Sequence, residues 1–353
     1  MTSQSFDLRD TLKAVELRGH QQYGSLEVFH LYWPAGDGLD YATLDEALEA
    51  RSIEVTESSD GGQVSRIKIV NRSNRMVFLM AGEQLVGCKQ NRVLNTSIMV
   101  PAHTEMPLPV TCVERGRWRY SSPVFSSGQS SSHHKLRAMM AMQAAKSYRR
   151  ASVPGTDQAS VWREVSRKMG VMGSRSSSDA LQDMFHDYDR ELADSIEKLR
   201  PPAECNGAVF VIGGSIAGAD LFDKPSTLRK LWAKLIRSSA IDALERPTEN
   251  LPSMEQQEIS IWLERVASAK QEPFPSPGVG LDVRIEGEDV IGASLAVNDH
   301  PVHMELFCRT GTRQAPAGGE GGAQEQQQAS PGESAPRKTG DVRQSWLRRI
   351  FRK

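Results

Sequence analysis

The densest group of residues able to do chemistry lies just after residue 80. Glu83, Gln84, Lys89, Gln90, Asn91, Arg92 and Asn95 follow one another closely, with Ala81-Gly82 and Gly87 permitting sharp backbone turns. One carboxylate, one ammonium, one guanidinium and several amides suit a phosphate or a sugar hydroxyl. In such a site Lys89 and Arg92 hold anionic oxygens, while Gln90, Asn91 and Asn95 hydrogen-bond the rest of the ligand. The bland account is a solvated hairpin tip whose surface ion pairs are each worth about 0–1 kcal/mol. A second group is Cys112, Glu114, Arg115, Arg117 and Trp118. Strand alternation puts Cys112 and Glu114 on one face and Val113 and Arg115 on the other. In an enzyme, Glu83 or Glu114 would be the general base; otherwise Glu114 pairs with Arg92 across the sheet. Trp118 is either a stacking face for a base or a core anchor. Cys112 would be a nucleophile only with a pKa lowered from about 8.5, and is otherwise a small buried hydrophobe.

Other candidates carry less. A strand running into Gly213-Gly214 lacks the spacing of a dinucleotide fingerprint or a P-loop, so a tight turn is the preferred account, with Ser215 and Asp220 facing a cleft as the alternative. His133 and His134 are adjacent, and on a helix they diverge by about 100°, a poor chelating pair. No zinc spacing, Cys-x-x-Cys pair or Gly-x-Ser-x-Gly elbow occurs, so no metal site is expected and no cofactor is identified.

Composition narrows the class. The chain has 353 residues and a formal net charge of −1, which gives no general reason for specific nucleic-acid binding. Its 4 cysteines are few for this length, so reduced thiols are expected. The N-terminus lacks the apolar core of a signal peptide, and no run approaches the roughly 18 apolar residues of a membrane span. A cytoplasmic location follows as the expectation.

These groups need elements to hold them. Residues 26–33 read as a strand ended by Pro34 and the Gly36-Asp-Gly38 turn. Thr43-Leu-Asp-Glu46 is a capping-box signature that opens a short helix. Residues 52–57 and 64–70 flank Asp60-Gly-Gly62 as a hairpin. Residues 76–80, 92–100 and 108–113 read as further strands. The alternation over 92–100 predicts one unbroken strand whose hairpin with 76–80 carries Glu83 toward Lys89 or Arg92. Residues 7–18 suit helix or strand equally. Residues 121–132 read by composition as a loop or lid. Helical patterns follow over 133–150, 158–169, 179–199, 226–244 and 255–270, with a strand at 207–212. A Pro273–Pro277 break precedes strands at 281–285, 290–297 and 302–308. The predicted class is α+β: an antiparallel β-sandwich-like N-terminal part over 1–120, then a helical middle over 121–308 whose late strands return to the sheet in one composite domain. Residues 309–340 read as a disordered linker. The basic amphipathic tail, 341–353, suits docking on anionic membrane or an acidic protein groove.

The string Gly82-Glu-Gln-Leu-Val-Gly-Cys-Lys-Gln-Asn-Arg92, then Asn95-Thr-Ser, then Val110-Thr-Cys-Val-Glu-Arg-Gly-Arg-Trp118, resembles the ARG and rhodanese-phosphatase-superfamily-associated domain family, mainly bacterial and archaeal. Gly213-Gly214, Asp220-Leu-Phe222 and His303-Met-Glu-Leu-Phe307 look like its downstream features. The resemblance associates a small residue, Gly or Ala, with position 88, so it implies no cysteine nucleophile there. It implies a domain rather than a reaction, and its genomic associations hint at nucleotide or ADP-ribose metabolism. The expected function is therefore a small-molecule site for a phosphorylated or nucleotide-like ligand. The alternative is a non-catalytic interaction module in which the motif holds the sheet together and the tail recruits a partner.

Overall fold

Strands whose residues are apolar on both faces must be covered on both sides, and 207–212 (Gly-Ala-Val-Phe-Val-Ile) and 290–297 are of this kind. They are interior strands of the largest sheet. A computed structural model describes residues 7–34, 39–246 and 253–309. The turn expected at Gly36–Gly38, the linker and the basic tail lie outside the described residues.

In chain order the first elements are α1 (Arg9–Lys13), β1 (Glu16–Tyr23), β2 (Leu26–Tyr32), β3 (Tyr41–Thr43), α2 (Leu44–Glu49), β4 (Ile53–Glu57), β5 (Arg66–Asn71), β6 (Met76–Leu79), β7 (Glu83–Gly87), β8 (Arg92–Leu94), β9 (Ile98–Val100), β10 (Thr104–Cys112) and β11 (Phe125–Ser131). Then come α3 (His134–Ala151), α4 (Gln158–Met172), α5 (Leu181–Asp187), α6 (Asp189–Lys198), β12 (Gly207–Ile212), β13 (Ile216–Phe222), α7 (Pro225–Ala243), α8 (Gln256–Ser268), β14 (Lys270–Pro275), β15 (Leu281–Glu286), β16 (Val290–Val297) and β17 (His300–Cys308). The fold is α+β, built on large antiparallel sheets.

The 8-stranded sheet has the order β1-β2-β12-β13-β17-β16-β15-β14, so the late strands join a sheet that holds β1 and β2, but reach them only through β12 and β13. One of its faces packs on α1 and α8 through Leu12, Ile259, Trp262 and Val266. The other packs on α3 to α7 and on part of the motif region, through Phe210, Phe222, Phe78 and Met99. A 6-stranded sheet, β11-β7-β8-β10-β5-β4, and a 3-stranded sheet, β3-β6-β9, enclose a separate core of Val55, Ile69, Val77, Leu85, Ile98 and Val110. The capping box forms as read: Thr43 Oγ1 accepts the Glu46 N–H, and Glu46 accepts the Thr43 N–H at 2.9 Å.

Four sequence expectations change. Residues 92–100 are two strands, not one: β8 pairs with β7 and β10, β9 pairs with β6, and a bend at 95–97 carries the chain between sheets. Residues 121–132 are no lid, because β11 pairs with β7. Their serines are small enough to fit beneath α7, where Ser127 and Ser130 accept hydrogen bonds from Lys234 and Arg237. Pro273 and Pro275 do not break the chain; they sit in β14, an edge strand, where a missing N–H is tolerated. The third expected helix is two, α5 and α6, meeting at Tyr188.

Candidate functional site

The motif hairpin is β7, a tip at 88–91, and β8. Gly82 enters it with φ +83°, and a Cβ there would meet Arg137 Cγ at 2.9 Å, so both conformation and space demand glycine. Asn91 Oδ1 closes the tip by accepting the Gly87 N–H at 3.1 Å. Cys88 sits in the left-handed region, φ +42°, which suits the small residue that the resemblance associates with this position. Its thiol is buried, and burial together with Glu57 pushes its pKa up to about 11. Burial also raises the Cys112 thiol, whose Sγ donates to the Glu114 carbonyl at 3.1 Å. Neither sulfur is set up as a nucleophile.

Far from being a solvated tip, this region is buried and paired. Glu114 Oε2 accepts the Asn91 N–H at 2.9 Å and Arg117 Nη2–H at 2.6 Å. Glu114 Oε1 accepts from Arg117 Nε at 2.8 Å and from Ser178 Oγ at 2.7 Å. Burial pushes this carboxyl up, but Arg117, the Asn91 N–H and Ser178 outweigh it and hold it below the usual carboxylate range. A carboxylate with every lone pair engaged is a structural acceptor and a poor base. Its cation is Arg117, not Arg92. Arg92 is fully buried and donates to Gln90 Oε1 at 2.8 Å, while Gln90 Nε2 donates to the Glu114 carbonyl at 2.9 Å. Glu57 lies 3.8 Å from Arg92.

Glu114→Gln is expected to lower stability by about 2 kcal/mol, because it weakens charge-assisted bonds to Arg117. Thermal and urea melts check this, and an unchanged melting temperature would return Glu114 to the list of candidate bases.

Glu83 belongs to a different network. The strand β7 separates it from the tip. Its Oε2 accepts the Met80 N–H at 2.7 Å, and its Oε1 accepts from Lys234 Nζ at 2.6 Å. Lys234 also reaches Asp45 at 2.7 Å and Ser127 at 2.8 Å. Burial raises the Glu83 pKa against the pull of Lys234.

The bend Asn95-Thr96-Ser97 points three ways. Asn95 Oδ1 accepts from Thr111 Oγ1 at 2.6 Å and Nδ2 donates to the Pro154 carbonyl at 3.1 Å, on the wall of a cleft. Thr96 Oγ1 donates to Asp282 at 2.6 Å and accepts from Arg284 at 2.7 Å, and Tyr148 donates to the same Asp282 oxygen at 2.9 Å. Ser97 Oγ accepts the Ala81 N–H at 2.9 Å and lies 2.8 Å from His303 Nδ1. His303 Nε2 is 3.1 Å from Asp220, which Arg137 grips with both Nη atoms while also reaching Glu305 at 3.1 Å.

Sequence reasoning singled out Asp220 and the His303–Phe307 string separately, but missed Arg137, Asp282 and Arg284 and the interior network that joins all of them. The available signal was a lone charge inside an apolar run, as in Ala-Gly-Ala-Asp220-Leu-Phe. Ser97, His303 and Asp220 follow the order of a serine hydrolase relay. Ser97 is nevertheless 5% exposed, and the cleft that Asn95 lines includes none of the three. The set clasps the motif to the large sheet.

What the structure leaves open to solvent is a ledge. Trp118 and Tyr120 are 46% and 49% exposed. Lys89 Nζ stands 5.6 Å from the Trp118 ring centroid and 5.2 Å from that of Tyr120, and buried Arg92 lies 5.6 Å from Trp118. Tyr120 was absent from the sequence candidates. Arg115 turns away, to lie 5.7 Å from the Trp162 ring. Gly213-Gly214 is a two-residue hairpin turn, both glycines at positive φ, with the Ile212 N–H donating to the Ser215 carbonyl at 2.8 Å. Among the described residues no group of His, Cys, Asp and Glu converges as a metal site would require, and no helix is long and apolar enough to cross a membrane.

A search of curated proteins and one of solved structures found no match. A family model for the ARG and Rhodanese-Phosphatase-superfamily-associated Protein domain matches residues 14–307, a span that takes in the motif hairpin, the bend and nearly all of the large sheet. With so much of its length matched, the chain belongs to that family.

Proposed function

We propose that this protein is a small-molecule-binding module for a phosphorylated or nucleotide-like ligand, held on the ledge of Trp118, Tyr120 and Lys89. The observation that carries the reading is a lysine standing between two exposed aromatic rings, 5.6 and 5.2 Å from their centroids. A base stacks on an aromatic face for about 1–3 kcal/mol, and an ammonium beside it meets the phosphate. Arg92 adds positive charge from below, with its Nε and Nη2 lacking an acceptor among the described residues. Buried Glu57 partly offsets that charge, so binding is expected to be weak, roughly 0.1–1 mM. The interior pairing of Glu83 and Glu114 supports a non-catalytic role for both, which is the structural half of the alternative reading.

Calorimetric titration with ADP-ribose, ADP, adenosine and ribose 5-phosphate tests this. ADP-ribose and ADP should bind, adenosine should bind more weakly, and Trp118→Ala should abolish binding without moving the melting temperature. No heat with any of the four would end the nucleotide reading.

A further inference from the structure

A cleft of about 520 Å³ lies where β10 and the bend at Asn95 meet the α3–α4 connection and the turn after β14. We infer that it is a second, separate binding site, for an organic anion with an apolar body. Its volume falls in the range of roughly 300–1,000 Å³ typical of small-molecule sites. Pro107, Pro109, Pro154, Pro275 and Pro277 line it. Proline has no N–H and a fixed φ, so these walls are apolar, poor in donors and already rigid, which lowers the entropic cost of binding. Val64 and Val153 at its rim are 41% and 44% exposed.

The amide and threonine side chains in the walls are already engaged within the protein, and Ser65 and Ser152 add only small hydroxyls. Asn95 is held by Thr111 and Pro154, and Thr156 shares a hydrogen bond with Thr111. Gln158 bonds the Cys112 backbone through both of its amide atoms, at 2.8 and 2.9 Å. That leaves few partners for a sugar or a peptide. Arg66 differs: it lines the cleft, is exposed, and has no carboxylate within salt-bridge reach among the described residues. An apolar enclosure with one uncompensated guanidinium selects an aryl or acyl group that carries a single carboxylate, sulfonate or phosphate.

Two fluorescent probes with a shared body make the test. Anilinonaphthalene sulfonate carries the anion, and phenylnaphthylamine lacks it. The sulfonate is expected to bind the full chain about tenfold more tightly than the neutral probe, the equivalent of one charge-assisted contact. Arg66→Gln should erase that preference. Val153→Trp, which fills the mouth, should weaken both probes, with Val64→Trp as the second filling variant should the first fail to fold. Trp118→Ala should leave both affinities unchanged, which separates this site from the ledge. Equal affinity of the two probes for the wild type, or full binding to both folded filling variants, would overturn the inference.

Discussion

Arg137→Met is expected to cost about 3–5 kcal/mol of folding free energy, the usual penalty for removing one partner of a buried ion pair. Arg137 is 2% exposed and is the only guanidinium that hydrogen-bonds Asp220 among the described residues. Burial opposes ionisation of Asp220, yet Arg137 and His303 hold its carboxyl well below the usual range. Methionine fills most of the volume and leaves Asp220 with His303 alone, while Glu305 loses its 3.1 Å contact. With a total stability of about 5–15 kcal/mol typical of natural domains, such a loss is readily measured. Urea unfolding should show a lower midpoint with an unchanged slope. Adding Asp220→Asn to the same chain should recover part of the loss, because it removes the stranded charge. A loss below about 1 kcal/mol would mean that the interior network contributes little to holding the sheets together.

The second large effect is linked to pH. His134 lies 3% exposed on α3, and its Nε2 is 2.9 Å from Ser239 Oγ. Ser239 already donates its proton to the Leu235 carbonyl, so it accepts from the imidazole Nε2–H. Nδ1 then faces the Gly218 backbone with no partner among the described residues. Protonation would bury an N–H with no acceptor. Burial, and next Arg137, lower this pKa from 6.5 to about 4, against the pull of Asp242 and Asp220. The unfolded chain therefore binds a proton between pH 6.5 and 4 that the folded chain refuses. This stability is fully present above pH 6.5 and is lost as pH falls toward 4.

A displacement of this size is worth about 3 kcal/mol. The clean measurement is the difference between wild type and His134→Gln, whose amide keeps a donor toward Ser239. His30, also lowered to about 4, and Asp223, raised by burial to about 6, contribute slopes of opposite sign, but both cancel in that difference. Two parallel stability–pH curves would show that His134 is not the group concerned.

Local signals in the sequence were legible where a local interaction decides the structure. The Thr43 capping box, the Asp60-Gly-Gly62 hairpin and four of the five expected helices form as their spacing predicts, the exception being the pair α5 and α6. Signals failed where a distant partner decides. Alternation over 92–100 is real on both sides of the bend, but periodicity carries no information about a change of sheet at Asn95. The serines of β11 look like a loop until α7 supplies the cations they cap. At the candidate site, Lys89, Arg92 and Trp118 come together, and so do Gln90, Asn91 and Glu114. Glu83 and Arg115 do not join them. No side-chain list distinguishes a carboxylate that meets a ligand from one that meets Arg117.

The bend at Asn95-Thr96-Ser97 also bears on when the protein can fold. Thr96 and Ser97 reach partners 186 and 206 positions downstream in the chain. During synthesis the first 120 residues can form their hairpins. The clasp still waits for Asp282 and His303 to emerge. Closing loops of this length before any contact rewards them makes assembly slow, and it leaves the growing chain with polar groups that have no interior in which to be satisfied. The compositional boundary near residue 120 is therefore a boundary of texture, and the strands from β1 to β17 fall in one compact unit.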